Sequence, residues 1–217
     1  MWKLTPLFFL LSSCVFGPGN FRSSHSSDLA MRKIKRIAIL VPELPIPEEK
    51  GKAAYLSNPP SALKGPENEA NLLLSHFLHS TMSALPNWQI VSDREVKQVG
   101  TMLGQGSDGA RARKLGELVY ADAVISGRVV RYRERVGEEL GVKSPASVTF
   151  VLELWDVRRG DIIWSARFDE TQKPLSENIF AIGEFAQRGA KWLTAEELMH
   201  EGVKKAVSQL QKALYGT

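Results

Sequence analysis

Residues 147–168 constrain the fold most, because they combine an alternating apolar segment with a tight turn. From Ser147 to Trp155, apolar side chains stand at every second position, and this spacing predicts a strand with one buried face. The next residues, Arg158–Asp161, contain Gly160 and predict a tight turn into a second strand at 162–168. The sequence therefore predicts an antiparallel hairpin late in the chain.

Earlier segments predict alternating strands and helices. The apolar runs at 35–41 and 121–130 are short enough to be buried strands. Between them, helical spacing predicts a helix over 68–85, stopped by Pro86, then a short strand at 88–91 and a helix capped by Asp93. This order predicts an α/β fold, in which a mixed sheet with a C-terminal antiparallel meander is covered by helices.

The end of the chain is predicted to be helical. Ser176 can cap a short helix that Gly189 terminates. Thr194 and Glu197 form a capping-box pattern before a long amphipathic helix that is expected to close the core.

The spacing Gly104-x-Gly106-x-x-Gly109 is that of a dinucleotide-binding loop. Such a loop needs a strand directly before its first glycine and an acidic residue about 20 positions after its third. Here the preceding residues are predicted to be helical, and the residue twenty beyond Gly109 is Val129. We therefore interpret the glycines as the end of one helix, with Ser107 or Asp108 capping the next, and we expect no nucleotide.

The N-terminal residues resemble a lipoprotein leader. Lys3 precedes an apolar run, and Leu-Ser-Ser then leads to Cys14, the only cysteine in the chain. Leu-Ser-Ser-Cys resembles the bacterial lipobox, whose cysteine is modified with diacylglycerol and becomes the mature N-terminus. Val15 in the next position favours the outer membrane, facing the periplasm. A plain secretory signal beside an unrelated cysteine is the alternative.

These patterns divide the chain into three parts. We expect a signal peptide at 1–13, a flexible tether at 14–31 rich in Gly, Ser and polar residues, and a single α/β domain at 32–217. The formal net charge of +4 permits weak attraction to anionic surfaces but does not indicate nucleic-acid binding.

One longer pattern resembles a known superfamily. The string ADAVISGRVVRYRER at 121–135 follows a capped helix and the segment WQIVSDRE, and it precedes the strand pair ending in DVRRGDIIWSARF. This combination resembles the periplasmic lipoproteins that include the curli-secretion lipoprotein, the lipoprotein activators of penicillin-binding proteins and the TolB amino-terminal domain. The resemblance covers about residues 35–170 and the final helix. It implies a non-catalytic role in docking or assembly and provides no site residues.

Partner-binding residues are predicted in three places. Arg131, Arg133 and Arg135 would share one strand face opposite Val130 and Tyr132, a pattern typical of a solvated strand face and also suited to an anionic partner. The other candidates lie in the proline-rich segment 42–66 and in 179–192; they are Tyr55, Leu56, Phe180 and Trp192. Phe180 and Trp192 could instead pack on the sheet.

Catalytic and metal-binding patterns are weak. His76 and His79 lack a nearby Cys, Asp or Glu to complete a metal shell, and His200-Glu201 lacks the second histidine of a zinc-protease helix because that position is Lys204. We expect no enzyme activity, no cofactor and no metal. The function predicted from sequence is a binding or assembly module for an envelope protein or for copies of itself, anchored in the membrane through Cys14. A structural subunit of a secretion complex and a hydrolase of envelope material are the alternatives.

Overall fold

The computed structural model describes residues 21–40, 66–104, 106–137, 142–172 and 192–216. These residues form eight strands, four α-helices and one 3-10 turn at Leu29–Met31. The strands are β1 Phe21–His25, β2 Arg36–Leu40, β3 Gln89–Ile90, β4 Ala123–Arg133, β5 Val136–Gly137, β6 Val142–Ser144, β7 Ser147–Asp156 and β8 Ile162–Thr171. The helices are α1 Pro66–Ser83, α2 Asp93–Gly100, α3 Asp108–Leu118 and α4 Ala195–Tyr215.

Six strands form one mixed sheet in the order β1-β8-β7-β4-β2-β3, while β5 and β6 pair separately. The strand β2 runs parallel to both β3 and β4, and the remaining neighbours in the large sheet are antiparallel. Helices cover part of this sheet. The predicted α/β class and the antiparallel meander are therefore confirmed.

The two faces of the sheet are covered differently. Helices α1 and α4 pack on the first face over a large apolar core, which includes the inward side chains predicted for β7: Val148, Phe150, Leu152 and Leu154, all fully buried. Helices α2 and α3 pack on the second face over a smaller core around Ala112, Leu115 and Val124. Among the described helices, α1 and α4 cover the first face, and α2 and α3 cover the second only toward one end.

The N-terminal edge corrects the predicted tether. Phe21–His25 forms β1, which pairs antiparallel with β8, and Leu29 is buried in the main core. The side chain of Phe21 packs against that core, with Lys205 5.6 Å from its ring centroid. The prediction of a flexible tether is thus wrong for 21–31, because backbone pairing with the free edge of β8 orders a segment whose own side chains are mostly polar.

Helix boundaries follow the predicted caps with small changes. Thr194 and Glu197 form the predicted capping box of α4. For α2 the cap is Ser92, which pairs with Glu95, so the prediction of Asp93 as the cap is wrong by one residue. The predicted short helix at 176–189 lies outside the described residues.

The glycine-rich segment has a packing role. Ser107 caps α3 by accepting from Ala110 N–H, as predicted. Gly104 has a positive φ of 70°, a conformation that glycine adopts at little cost. A Cβ at Gly109 would lie 2.6 Å from Cζ3 of Trp155, so glycine is needed there for α3 to approach β7 closely.

Candidate functional site: an arginine-bearing sheet face

The second sheet face is open beyond the N-terminal end of α3. Gly109 of α3 lies over Trp155, and the indole Nε1 of Trp155 donates to Ser126 Oγ at 3.1 Å. Past this point, side chains of β1, β8, β7 and β4 project from the sheet with no helix of the described chain above them. We name this surface the arginine face and define it by its charged residues: Arg22, Arg128, Arg131, Arg133, Arg167, Glu153 and Asp169.

The strand register aligns three of these arginines. Arg22 pairs with Arg167, Arg167 pairs with Val151, and Val151 pairs with Arg128. Because paired residues project to the same side and neighbouring strands lie about 4.8 Å apart, the row is about 14 Å wide. Like charges directly opposite each other, as at Arg22 and Arg167, destabilise a sheet. The row is therefore an accumulation of positive charge that the fold itself does not require.

The next row contains an ion pair between β4 and β8, which crosses over β7. Arg131 and Arg167 both donate to the carboxylate of Asp169, and the Thr149 hydroxyl donates to it at 2.9 Å. Burial on its own would raise the pKa of Asp169, but these hydrogen bonds outweigh it and hold the pKa below its usual value. Arg131 is thus held in place by Asp169.

Five arginines and two carboxylates give the arginine face an excess of three positive charges. Within the part of the chain that the structure describes, Arg22, Arg128 and Arg133 have no hydrogen-bonding or ion-pairing partner. All three are exposed. Arginine presents a planar set of donors suited to carboxylate and phosphate, so this surface is chemically suited to an anionic partner.

A bulge in β4 corrects part of the predicted pattern. The pairing with β7 shifts between Val129 and Arg131, which leaves Val130 unpaired and 53% exposed. Arg131 and Arg133 share the arginine face as predicted, and the bulge brings them onto the same side as Arg128. The prediction that Val130 shares the buried face with Tyr132 is wrong, because strict alternation holds only within an unbroken ladder.

A small recess lies where the arginine face meets α3. It has a volume of about 30 Å³ and is lined by Leu40, Asp108, Ser126, Gly127, Arg128, Val151 and Glu153. Pockets that enclose small ligands are typically about 300–1,000 Å³, so this recess has room only for water molecules. The arginine face is accordingly suited to surface contact.

The other predicted site residues are spread over the chain. Arg135 follows the end of β4 and is partly exposed, so it does not continue the strand row of Arg131 and Arg133. Trp192 is only 8% exposed, which favours the packing alternative over a surface anchor. Cys14, Tyr55, Leu56 and Phe180 lie outside the described residues.

Sequence reasoning missed three members of the arginine face: Arg22, Arg128 and Arg167. Arg128 and Arg167 stand next to Val129 and Phe168, which face the main core, so strand periodicity alone could have placed both arginines on an outward face. Arg22 lies in a mostly polar segment that has no alternating pattern of its own. Their alignment depends on strand pairing, and only the register of β1, β8, β7 and β4 brings them together.

A second charged cluster has a structural role. Arg32 donates to Asp28, Asp156 and Asp161, and its bond to Asp156 is 2.7 Å long. Burial alone would lower the pKa of Arg32, but the three carboxylates outweigh it and raise the pKa above its ordinary value. This cluster joins the N-terminal segment to the β7–β8 hairpin.

The residues that the structure describes contain neither a metal-binding cluster nor a membrane-spanning helix. Among them, no group of three or more His, Cys, Asp or Glu residues is placed to hold a metal ion. His79 instead lies 3.7 Å from Asp93. No helix in the same part of the chain combines the length and apolar character needed to cross a bilayer.

The fold and the arginine face define a class of α/β domain: one sheet face is closed by helices and the other is partly open and cationic. No protein-family model matches the chain, and no curated protein matches it. Solved structures do match.

The PelC dodecamer from Paraburkholderia phytofirmans is 17% identical, with a TM-score of 0.45 over 88% of this chain and 96% of that chain. Lipoprotein GNA1162 from Neisseria meningitidis is 17% identical, with a TM-score of 0.35 over 71% and 93%. The LpoB C-terminal domain from Salmonella enterica is 17% identical, with a TM-score of 0.33 over 45% and 67%. One of these structures is named as a lipoprotein. With TM-scores below 0.5, these similarities assign no function to this chain.

Proposed function

We propose that this protein is an outer-membrane lipoprotein whose periplasmic domain is a non-catalytic binding or assembly module for an envelope partner. Residues 1–13 would be removed as a signal peptide, and Cys14 would carry the lipid. The domain would comprise the residues from Phe21 onward, because β1 belongs to the sheet. The lipobox-like Leu-Ser-Ser-Cys that ends at Cys14, a few residues before the first strand of the domain, is the observation that carries this proposal.

The module would act through surface contacts. The arginine face, including Arg131 and Arg133, is open and cationic, and the adjoining recess is too small to enclose a substrate. Arg135 lies just beyond it. The predicted anchors Tyr55, Leu56 and Phe180 are proposed as contacts for a protein partner or a second copy of the chain, since aromatic and large apolar residues dominate such interfaces.

The lipid anchor is tested with Cys14→Ser. We expect this variant to lack the lipid and to move from the membrane fraction to the soluble periplasmic fraction when the fractions are washed at high salt, because the acyl chains are removed and salt screens any attraction between exposed charges and headgroups. Intact mass of the purified protein and fractionation of cells provide the measurement. Ser13→Ala is the matched control, since it keeps a small residue before Cys14 and should leave lipidation unchanged.

The same cells test the binding role. Crosslinking in intact cells with the lipidated chain as bait should capture an envelope protein or copies of the chain itself. A wild-type protein found in the cytoplasm with residues 1–13 attached would contradict the proposed location. Lipidated protein without a crosslinked protein at any exposed surface would contradict the binding role.

A further inference from the structure

The position of β1 limits how far the domain can lie from its anchor. Phe21 begins β1 at the edge of the sheet, and seven residue steps separate it from Cys14. A fully extended chain covers at most about 3.5 Å per residue, so Phe21 lies within about 25 Å of a lipidated Cys14. The domain is therefore held close to the membrane.

The same end of β1 borders the arginine face. Arg22, the second residue of β1, begins the row that continues to Arg167 and Arg128. The first residue, Phe21, points to the opposite side and packs against the main core. The chain from the anchor consequently enters the domain beside the arginine face, and α3 covers the other end of that sheet face.

We propose that the arginine face docks on the headgroups of anionic phospholipids in the membrane that holds the anchor. The proposal rests on the proposed function for the lipid at Cys14 and assigns a ligand class to one surface of that module. The short chain between Cys14 and β1 keeps the arginine face near the membrane, and the headgroups carry the opposite charge. Both facts favour this ligand over a soluble anion. Arginine binds phosphate through paired hydrogen bonds, and each cationic side chain near an anionic bilayer strengthens binding about fivefold.

Docking complements a lipid anchor in physical terms. The two acyl chains of a diacylglyceryl group hold a protein stably on a membrane without fixing its orientation, and a cationic surface adds a second attachment. The excess of three positive charges would also orient the domain. The arginine face would lie against the bilayer, and α1 and α4, on the opposite face of the sheet, would face away from it. Their side of the sheet would be presented to the periplasm.

The test measures vesicle binding by the processed chain, residues 14–217, made without lipid by Cys14→Ser. The vesicles contain phosphatidylcholine alone, or phosphatidylcholine with phosphatidylglycerol as a substantial minority component. We expect co-sedimentation with the anionic vesicles only, and we expect high salt to weaken it because exposed charges are screened.

The variant Arg22→Gln/Arg128→Gln/Arg133→Gln removes the three arginines that have no partner in the described chain. We expect it to bind anionic vesicles at least tenfold more weakly without any loss of thermal stability, because removing Arg22 also relieves its repulsion with Arg167. The matched control, Lys204→Gln/Lys205→Gln/Lys212→Gln, removes the same charge from exposed positions on α4, on the other side of the sheet. It should keep most of the binding.

Three outcomes would overturn the proposal. Equal losses in the two triple variants would show attraction by net charge alone. Binding to soluble polyglutamate without binding to anionic vesicles would assign the face to an acidic polymer. Equal binding to neutral and anionic vesicles would remove the role of headgroup charge.

A measurement on the chain with unchanged arginines covers the case in which the triple variant does not fold. Anionic vesicles should protect Arg22, Arg128 and Arg133 from phenylglyoxal, as read by peptide mass, and neutral vesicles should not. Unchanged labelling would contradict docking. Absence of lipid on Cys14 in cells would contradict the proposed function but would leave the vesicle result unaffected, so the two failures are distinguishable.

Discussion

At the scale of single residues, Tyr120 adopts a backbone conformation that is unfavourable for its side chain. Its φ is 53°, and it is 88% exposed at the end of α3. Ala121 N–H donates to the Gly116 carbonyl at 2.9 Å, which is the closing hydrogen bond of a helix end that usually has glycine at the left-handed position. A left-handed conformation costs a non-glycine residue about 1–2 kcal/mol.

We expect Tyr120→Gly to raise the free energy of unfolding by about 0.5–1 kcal/mol, because relief of the left-handed conformation exceeds the added entropy of the unfolded chain. Denaturant unfolding checks this value. Tyr120→Ala retains a Cβ and is the control, with little expected change. A less stable glycine variant would mean that the exposed ring makes stabilising contacts.

The residue scale also shows which site positions could be predicted. Strand periodicity places Arg131 and Arg133 together correctly, because they are two residues apart in one strand. It misplaces Val130, because the bulge arises from pairing with β7. It cannot place Arg22, since the mostly polar segment Phe21–His25 carries no alternating pattern of its own.

At the scale of elements, two glycines set the distance between α3 and the sheet. Gly109 faces Trp155, and Gly116, seven residues later on the same side of the helix, faces Val157. A Cβ at either position would overlap these side chains. The smaller core on the second sheet face depends on this close approach.

We expect Gly109→Ala to lower the free energy of unfolding by about 1–3 kcal/mol, because the new methyl group would overlap the rigid Trp155 ring. Gly106→Ala is the matched control: its Cβ would meet only Ala110 and Arg111 atoms at 3.8 and 3.9 Å, so the change should stay within about 0.5 kcal/mol. Thermal or denaturant unfolding measures both. Equal destabilisation by the two variants would contradict the packing role of Gly109.

Elements specified by nearby residues were predictable, and those specified by distant pairing were not. Strand β7 and the caps of α3 and α4 depend on local alternation and on side chains three residues apart. Strand β1 depends on β8, and Ser24 and Ser165, which share a hydrogen bond, are 141 residues apart in sequence. No local pattern in 21–25 identifies such a partner.

At the scale of the whole molecule, stability depends on aspartates with lowered pKa values. Burial would raise the pKa of Asp156, but the backbone N–H of Arg159, the Arg32 guanidinium and the N–H of Arg158 outweigh it and lower the pKa. Asp169 behaves similarly on the arginine face. Such groups bind fewer protons in the folded chain, so their stabilisation is present above pH 3.8 and is lost as pH falls through the lowered values.

We expect Asp156→Asn to lower the free energy of unfolding at pH 7 by about 1–2 kcal/mol, because charged hydrogen bonds to Arg32 and the hairpin turn are weakened. Its stability should also fall less steeply than that of the wild type below pH 3.8. Denaturant unfolding at neutral and acid pH gives both quantities. Glu201→Gln removes only an exposed pair with Lys204 and should change the value at pH 7 by less than about 0.5 kcal/mol. An unchanged acid dependence in Asp156→Asn would contradict the role of this carboxylate.

The pairing of β1 with β8 has a consequence for the order of biosynthesis. In a chain exported with its N-terminus first, residues 21–25 emerge long before 164–168, the residues with which they pair. Domains complete long-range pairs only after both partners are available. The segment beside Cys14 would therefore remain free of the sheet during the proposed signal cleavage and acylation, and it would pair with β8 only after β8 has been exported.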